Sequence, residues 1–219
     1  IYTLSLHDAL PICVSVGGGF GGATAARYLR QLAPEVKVTL VEPATRFYTC
    51  PFSNLYLGGL RTFESIGHGY DGLRADGVEV VHARAEDVDA TARTVRLSNG
   101  RTLKWDRLVL SPGIDFRWDA LPGYDEAASW VAPHSWKAGK QTQLLYRQLR
   151  AMPDGGTFVM VIPDLPYRCP PGPYERACMV AHYFKQNKPR SKILLLDAKD
   201  NFSKKALFQQ ANADRKSVV

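Results

Sequence analysis

Three groups of residues in this chain have the types and spacing for chemistry. The first is Gly17-x-Gly19-x-x-Gly22, at the junction between a β-type run, Ile12 to Val16, and a helical run from Ala23 onward. This is a dinucleotide fingerprint. Gly17 allows the tight strand-to-helix turn, Gly19 lets the backbone approach a pyrophosphate, and Gly22 packs the helix on the sheet with its amino end facing the phosphates. A second strand, Val36 to Val41, ends in Glu42, twenty residues past Gly22, where a carboxylate can accept the two ribose hydroxyls. The second group is Cys50, in Phe47-Tyr48-Thr49-Cys50-Pro51. It reads as part of a loop that, in this fold, passes beneath the redox-active end of the cofactor; the alternative is a buried, inert thiol. The third is Cys169 with Glu175, in the stretch Pro163 to Arg176.

That third stretch follows an apolar strand where a second glycine fingerprint would belong. Its five prolines remove five backbone N–H donors, and Asp164 and Glu175 place negative charge where a pyrophosphate would sit. Such a loop is unsuited to NAD(P). It is suited to holding one thiol, since Pro170 and Pro171 restrict the backbone and a nearby helix start favours a thiolate. Glu175 reads equally well as a proton acceptor and as a first-turn helix carboxylate with no part in chemistry.

The elements that must position these residues can be read in order. Val78 to Ala83 is a strand that brings Ala85 back toward the adenine side, and His82 reads as structural. Thr94 to Trp105 is a β-hairpin about the Asn99-Gly100 turn. It leads into the strand Asp106 to Ser111, closed by Pro112-Gly113, where small residues let backbone come close to a ligand. Residues 114–136 read as a linker and Lys137 to Met152 as a helix. Strands at Gly155 to Ile162 and Ser191 to Asp197, with a helix from about Tyr174 between them, make a second βαβ unit. Cys13 and Cys178 read as core thiols. The fold expected is α/β: a Rossmann-like dinucleotide-binding domain over 12–123, then the first half of a second such domain over 124–211, in a truncated chain. Residues 1–11 and 212–219 break the patterns beside them and are set apart as a non-native leader and tail.

Composition narrows the class. The 219 residues are 45% hydrophobic, enough for a real core, and no run approaches the ~20 apolar residues of a membrane span. The formal charge of +7 is spread among acids with no dense basic run; it fits a soluble basic protein or attraction to an acidic partner or anionic substrate, and charge alone does not choose between them. No nucleic-acid partner is expected. No metal site is expected either.

The strings VGGGFGGATAARYLR, TLVEPATRFYTCPFSN, ESIGHGYDGLRADGVEVVHA, WKAGKQT and YRCPPGPYERA resemble the flavoprotein subunit of flavocytochrome c sulfide dehydrogenase over residues 12–211, about the first half of such a subunit. The resemblance implies FAD held by Gly17, Gly19, Gly22 and Glu42, with Ala85, Pro112 and Gly113 as further contacts, and joined covalently to Cys50. It implies a redox-active disulfide that uses Cys169 and a second cysteine outside this chain, with Glu175 near the sulfide site. Hydrosulfide would open that disulfide to a persulfide, and the electrons would pass through the flavin to haem c on a c-type cytochrome partner in the periplasm. Sulfide:quinone reductase and an NADH dehydrogenase are the alternatives of the same build, the second disfavoured by the proline loop. A non-catalytic FAD-binding fragment is the alternative of another class.

Overall fold

In the computed structural model, residues 10–134, 136–202 and 204–213 are described. Residues 1–9 and 214–219, most of the two end segments set apart above, lie outside them. The chain falls into two units. The first comprises residues up to Phe47 together with His68–Phe116; the second comprises Tyr48–Gly67 and the residues from Arg117 onward. The boundary drawn from the sequence at 123/124 therefore lies inside the second unit, and so does the segment that carries Cys50.

The chain opens with β1 (Ile12–Val16), α1 (Phe20–Leu32) and β2 (Lys37–Val41). It crosses through β3 (Phe47–Tyr48) into α2 (Cys50–Leu57) and a 3-10 turn at Glu64–Ile66, then returns through β4 (Gly67–His68). The first unit continues with α3 (Asp71–Ala75), β5 (Glu79–Val81), β6 (Ala85–Asp89), β7 (Thr94–Leu97), β8 (Thr102–Lys104) and β9 (Arg107–Leu110). The second unit resumes with α4 (Glu126–Ser129), α5 (Lys140–Ala151), β10 (Thr157–Ile162), α6 (Gly172–Asn187), β11 (Lys192–Asp197) and α7 (Lys205–Ala213).

The first unit is built on a parallel sheet of order β5-β2-β1-β9, with Val14 opposite Thr39 on one side and Leu108 on the other. Cys13, Val14 and Ser15 are all buried, as expected of a central parallel strand covered on both faces. On one face α1 sets Ala26 against Cys13, Val38 and Leu40. On the other, Val14, Val41 and Val81 meet Val95 and Leu97 from the antiparallel sheet β6-β7-β8. The expected hairpin is β7–β8, turning at Asn99-Gly100, and Gly100 takes the positive φ of 82° that favours glycine there. Its third strand, β6, holds Ala85 at its first position.

In the second unit β10 and β11 run parallel, Thr157 opposite Lys192 through Ile162 opposite Asp197, joined by α6. The second βαβ unit read from the sequence is thus present. Leu145 and Leu149, one turn apart on α5, are both buried. Leu149 joins Val180, Tyr183 and Phe184 of α6, while Leu145 joins Tyr56, Leu57, Phe63 and Ile66. Cys13 is core, 2% exposed, whereas Cys178, expected in the core, is half-buried on α6. No helix of the described residues is long and apolar enough to cross a membrane.

Candidate functional site

The glycine turn of the first unit is shaped by contacts that exclude any side chain. Gly17 has φ +98°, and a Cβ on it would lie 2.0 Å from the Ser111 carbonyl oxygen. A Cβ on Gly22 would lie 1.9 Å from the carbonyl oxygen of Gly17. These glycines let β1, α1 and the end of β9 converge. At Gly19 the nearest atom to such a Cβ is a ring carbon of Phe47 at 3.4 Å, so that side of the turn is less enclosed. No side chain caps α1, and its first turn carries no acid, which leaves its amino end suited to a phosphate.

Glu42 does more than the sequence suggested. Its Oε2 accepts from Gly18 N at 2.7 Å and its Oε1 from Ala44 N at 2.9 Å, so the carboxylate shapes the turn it was expected to serve. Tyr70, which sequence reasoning passed over, donates its hydroxyl to the Gly18 carbonyl at 3.0 Å. Burial, and then the charge of Glu42, push the Tyr70 phenol above its ordinary pKa, so it stays a donor. His82 lies just past the end of β5, exposed, with both ring nitrogens engaged. Arg74 donates to its Nε2 at 2.9 Å, which leaves Nδ1 protonated to donate to the Glu42 carbonyl at 3.0 Å. Behind the turn, the Ser15 hydroxyl donates to the Gly22 carbonyl and Ser111 N to the Val16 carbonyl. Pro112 and Gly113 follow directly, and nothing would lie within 4 Å of a Cβ on Gly113. The turn, its acid and its open helix end fit a dinucleotide.

The thiols belong to the second unit. Cys50 is not in a loop: it is the first residue of α2, whose start is set by Pro51 and by the hydrogen bond from Thr49 N to the Ile66 carbonyl. Cys169 is exposed, with φ +59°, and its carbonyl accepts from Gly172 N at 2.9 Å. Its Sγ lies 3.2 Å from where a Cβ on Gly172 would stand, over the first turn of α6. Glu175 is in that turn, exposed, and its Oε2 accepts from Asn54 Nδ2 at 2.9 Å.

Beside Glu175 stands Arg176, which no local signal in the sequence singles out. Arg176 is 3% exposed. Its Nε donates to Asn54 Oδ1 and its Nη2 to Ser53 Oγ, each at 2.8 Å. Nη1 finds no hydrogen-bond partner among the described residues. Burial lowers its pKa to about 10, against the opposing pull of Cys50, Glu175 and Cys169, so the guanidinium is charged at neutral pH. Burial pushes the Cys50 thiol up, Arg176 pulls it down, and Cys169 pushes it up again, so the two thiols lie within electrostatic reach of each other. Cys50, Cys169, Glu175 and Arg176 therefore form one cluster within the second unit. Among the described residues no group of His, Cys, Asp and Glu could hold a metal ion.

Fold and turn together define a Rossmann-like dinucleotide-binding unit followed by a second βαβ unit. The chain belongs to the pyridine nucleotide-disulphide oxidoreductase family, whose model matches residues 12–149. Residues 142–218 match the central-region model of the sulfide dehydrogenase [flavocytochrome c] flavoprotein chain. The flavoprotein chain of that name from Chlorobaculum thiosulfatiphilum is 71% identical over 41 residues, which are 19% of this chain and 85% of the relative's sequence. The sulfide-quinone reductase of Aquifex aeolicus is 32% identical over 82% of this chain and 41% of its own length. The solved sulfide:quinone oxidoreductase from the same bacterium is 25% identical with a TM-score of 0.75, covering 94% of this chain and 50% of that one. Putidaredoxin reductase, at 23% identity and TM-score 0.74, shares the fold. This chain thus spans two fifths to one half of the Aquifex protein it matches.

Proposed function

We propose that this chain is the nucleotide-binding and first-thiol part of an FAD-dependent sulfide oxidoreductase of the flavocytochrome c type. The observation that carries the reading is the cluster of Cys50, Cys169 and Glu175 about the buried Arg176, with Cys169 carried on a loop of prolines where an NAD site would have glycines. The high local identity to a sulfide dehydrogenase flavoprotein chain supports it. Gly17, Gly19, Gly22 and Glu42 would hold FAD, with Ala85, Pro112 and Gly113 as further contacts and Cys50 as its covalent tether. Bound there, FAD would supply a two-electron acceptor able to pass electrons on singly.

The chain's own part is to present sulfur and manage a proton. In the longer protein Cys169 would be half of a disulfide with a cysteine outside this chain. Hydrosulfide would attack that disulfide, forming a persulfide as the S–S bond breaks and a thiolate leaves. The positive-φ turn at Cys169 and the first turn of α6 hold the sulfur at a helix end that favours negative charge. Glu175, oriented by Asn54, would take the proton from hydrosulfide. The partner would be a c-type cytochrome subunit carrying haem c, and the setting the periplasm. Sulfide:quinone reductase is the second reading, favoured by the 32% identity that runs along most of this chain.

The test is sulfide titration of a protein of the relatives' full length that carries this segment. It should hold FAD that stays with the polypeptide after acid precipitation, and sulfide should bleach it. Cys169→Ser should keep the flavin and lose the bleaching. Near-normal reduction by sulfide in that variant would overturn the assignment.

A further inference from the structure

An arginine that is 3% exposed, and whose Nη1 has no hydrogen-bond partner among the described residues, is expensive unless its charge is used. Ser53 Oγ and the Asn54 amide oxygen fix the guanidinium, and the Glu175 carboxylate beside it is bonded to Asn54. The same Ser53 hydroxyl that accepts from Arg176 donates to the Cys50 carbonyl at 2.5 Å. The guanidinium is thereby locked to the first turn of α2, the turn that begins with Cys50.

We propose that Arg176 is the positioning cation of the Cys50 thiol: a buried, fixed positive charge, braced by Ser53 and Asn54, that favours the thiolate of Cys50, the form in which this sulfur bonds to an electrophilic carbon. The inference rests on the reading of Cys50 as the cofactor tether, but its test does not use sulfide oxidation. Among the described residues, groups from both helices and the proline loop bear on the thiol or on its cation. Arg176 from α6 favours the thiolate. Arg168, exposed on the proline loop, does so more weakly than Arg176. The Ser53 hydroxyl favours it by a hydrogen bond from its own helix, and Cys169 opposes it. Glu175 bears on Arg176. Burial opposes the thiolate most of all, so the thiol sits above its ordinary value even with Arg176 in place. Without Arg176 the balance tips further. An enclosed charge acts through low dielectric and little salt, whereas Arg168 is screened by water.

The experiment follows the rate of iodoacetamide capture at Cys50 against pH, by peptide mass spectrometry. It uses this chain synthesised without flavin, with circular dichroism to show the fold. Arg176→Gln should raise the midpoint of capture by about one pH unit or more. Arg176→Lys, which keeps the charge, should hold it within about half a unit, and Arg168→Gln should move it less than Arg176→Gln does. An unchanged Cys50 midpoint in folded Arg176→Gln would overturn the proposal and leave Arg176 as packing only. If Arg176→Gln does not fold, Arg176→Lys decides alone. A midpoint kept within half a unit supports the proposal, and one raised by a unit or more overturns it. Failure of sulfide to bleach the full-length protein would count against the functional reading and leave this result standing.

Discussion

Asn54 and Arg176, 122 residues apart in sequence, are joined by a hydrogen bond of 2.8 Å between the Asn54 amide oxygen and Arg176 Nε. The other end of the same amide donates to Glu175 Oε2 at 2.9 Å. One side chain of α2 thus fixes two consecutive residues of α6 and orients the carboxylate and the cation of the cluster at once. Asn54→Ala would leave Arg176 with one bonded guanidinium nitrogen and two unpaired ones. We expect a loss of about 2–4 kcal/mol in urea unfolding, because a buried charge loses its acceptor. Asn54→Asp should restore the acceptor for Arg176 while setting a second carboxylate against Glu175, and so recover only part of the loss. A cost under ~1 kcal/mol for the alanine variant would show that the network adds little to stability.

The glycine turn yields a graded prediction. Gly22→Ala places a methyl group 1.9 Å from a backbone oxygen, a contact that only movement of α1 away from β1 can relieve. Loss of about 3 kcal/mol is expected, with loss of tight FAD retention. Glu42→Gln keeps one acceptor oxygen and turns the other into a donor facing a backbone N–H. It should cost about 1–2 kcal/mol in stability even in flavin-free protein. If Glu42→Gln weakened flavin retention alone and left the flavin-free melt unchanged, Glu42 would serve the ribose and not the turn.

The first βαβ unit was legible because its signals are local: glycine spacing, a β-rich run and an acid at a strand end lie within Ile12 to Glu42. The second was legible from two apolar strands about a helix, although its loop breaks the fingerprint. What escaped depends on partners far along the chain. Tyr70 meets Gly18 across 52 residues and Arg176 meets Ser53 across 123. An arginine in a sequence reads as surface, and only packing makes it a buried cation. Cys50 was misplaced in a loop although Pro51 beside it is a helix-start signal. The division of the chain was hidden for a related reason: residues 48–67 leave the first unit and return to it, which no composition shift marks.

Asp197 gives a pH dependence. It ends β11, accepts from the Tyr174 hydroxyl and pairs with Lys199 Nζ at 2.5 Å, with side-chain exposures of 17% for Asp197 and 6% for Lys199. Burial raises the carboxyl's pKa, but the bonds from Lys199 and Tyr174 and the lysine charge outweigh it, and the net shift is downward. Burial lowers the Lys199 pKa, but Asp197 and Tyr167 outweigh it, and the net shift is upward. A depressed carboxyl stabilises the fold above its unfolded value of about 4, and this is lost as pH falls through the folded value. A raised ammonium stabilises below its unfolded value of about 10.4, and this is lost as pH rises through the folded value. The pair should therefore contribute in full between about pH 4 and 10. Asp197→Asn should cost roughly 2–4 kcal/mol at pH 7, with the gap to wild type closing below pH 4. A gap that held constant down to pH 3 in urea unfolding would mean the charge on Asp197 is not what stabilises.

The same residue bears on nicotinamide nucleotides. Glu42 follows β2 and Asp197 ends β11, corresponding places in two βαβ units where an acid can accept ribose hydroxyls. In the first unit the acid braces a glycine turn. In the second it is taken up by Tyr174 and Lys199, and the Phe202 ring stacks on Tyr174 at 3.6 Å between centroids. Lys199 also donates to the Pro163 carbonyl at 3.3 Å, tying the proline loop to the strand end. The proposed exclusion of NADH would thus have two independent sources: a loop short of N–H donors and an acid already engaged. Mixing the full-length flavoprotein with excess NADH should leave the flavin absorbance unchanged over the time in which sulfide bleaches it. Replacing Pro170 and Pro171 by glycine restores two donors but leaves Asp197 occupied, so this variant too should fail to respond. Adding Tyr174→Phe frees one carboxylate oxygen of Asp197 and should still give no more than weak binding, because Lys199 holds the other. Rapid bleaching by NADH in the proline variant alone would show that the loop was the whole barrier and that the Asp197 pair plays no part in excluding the nucleotide.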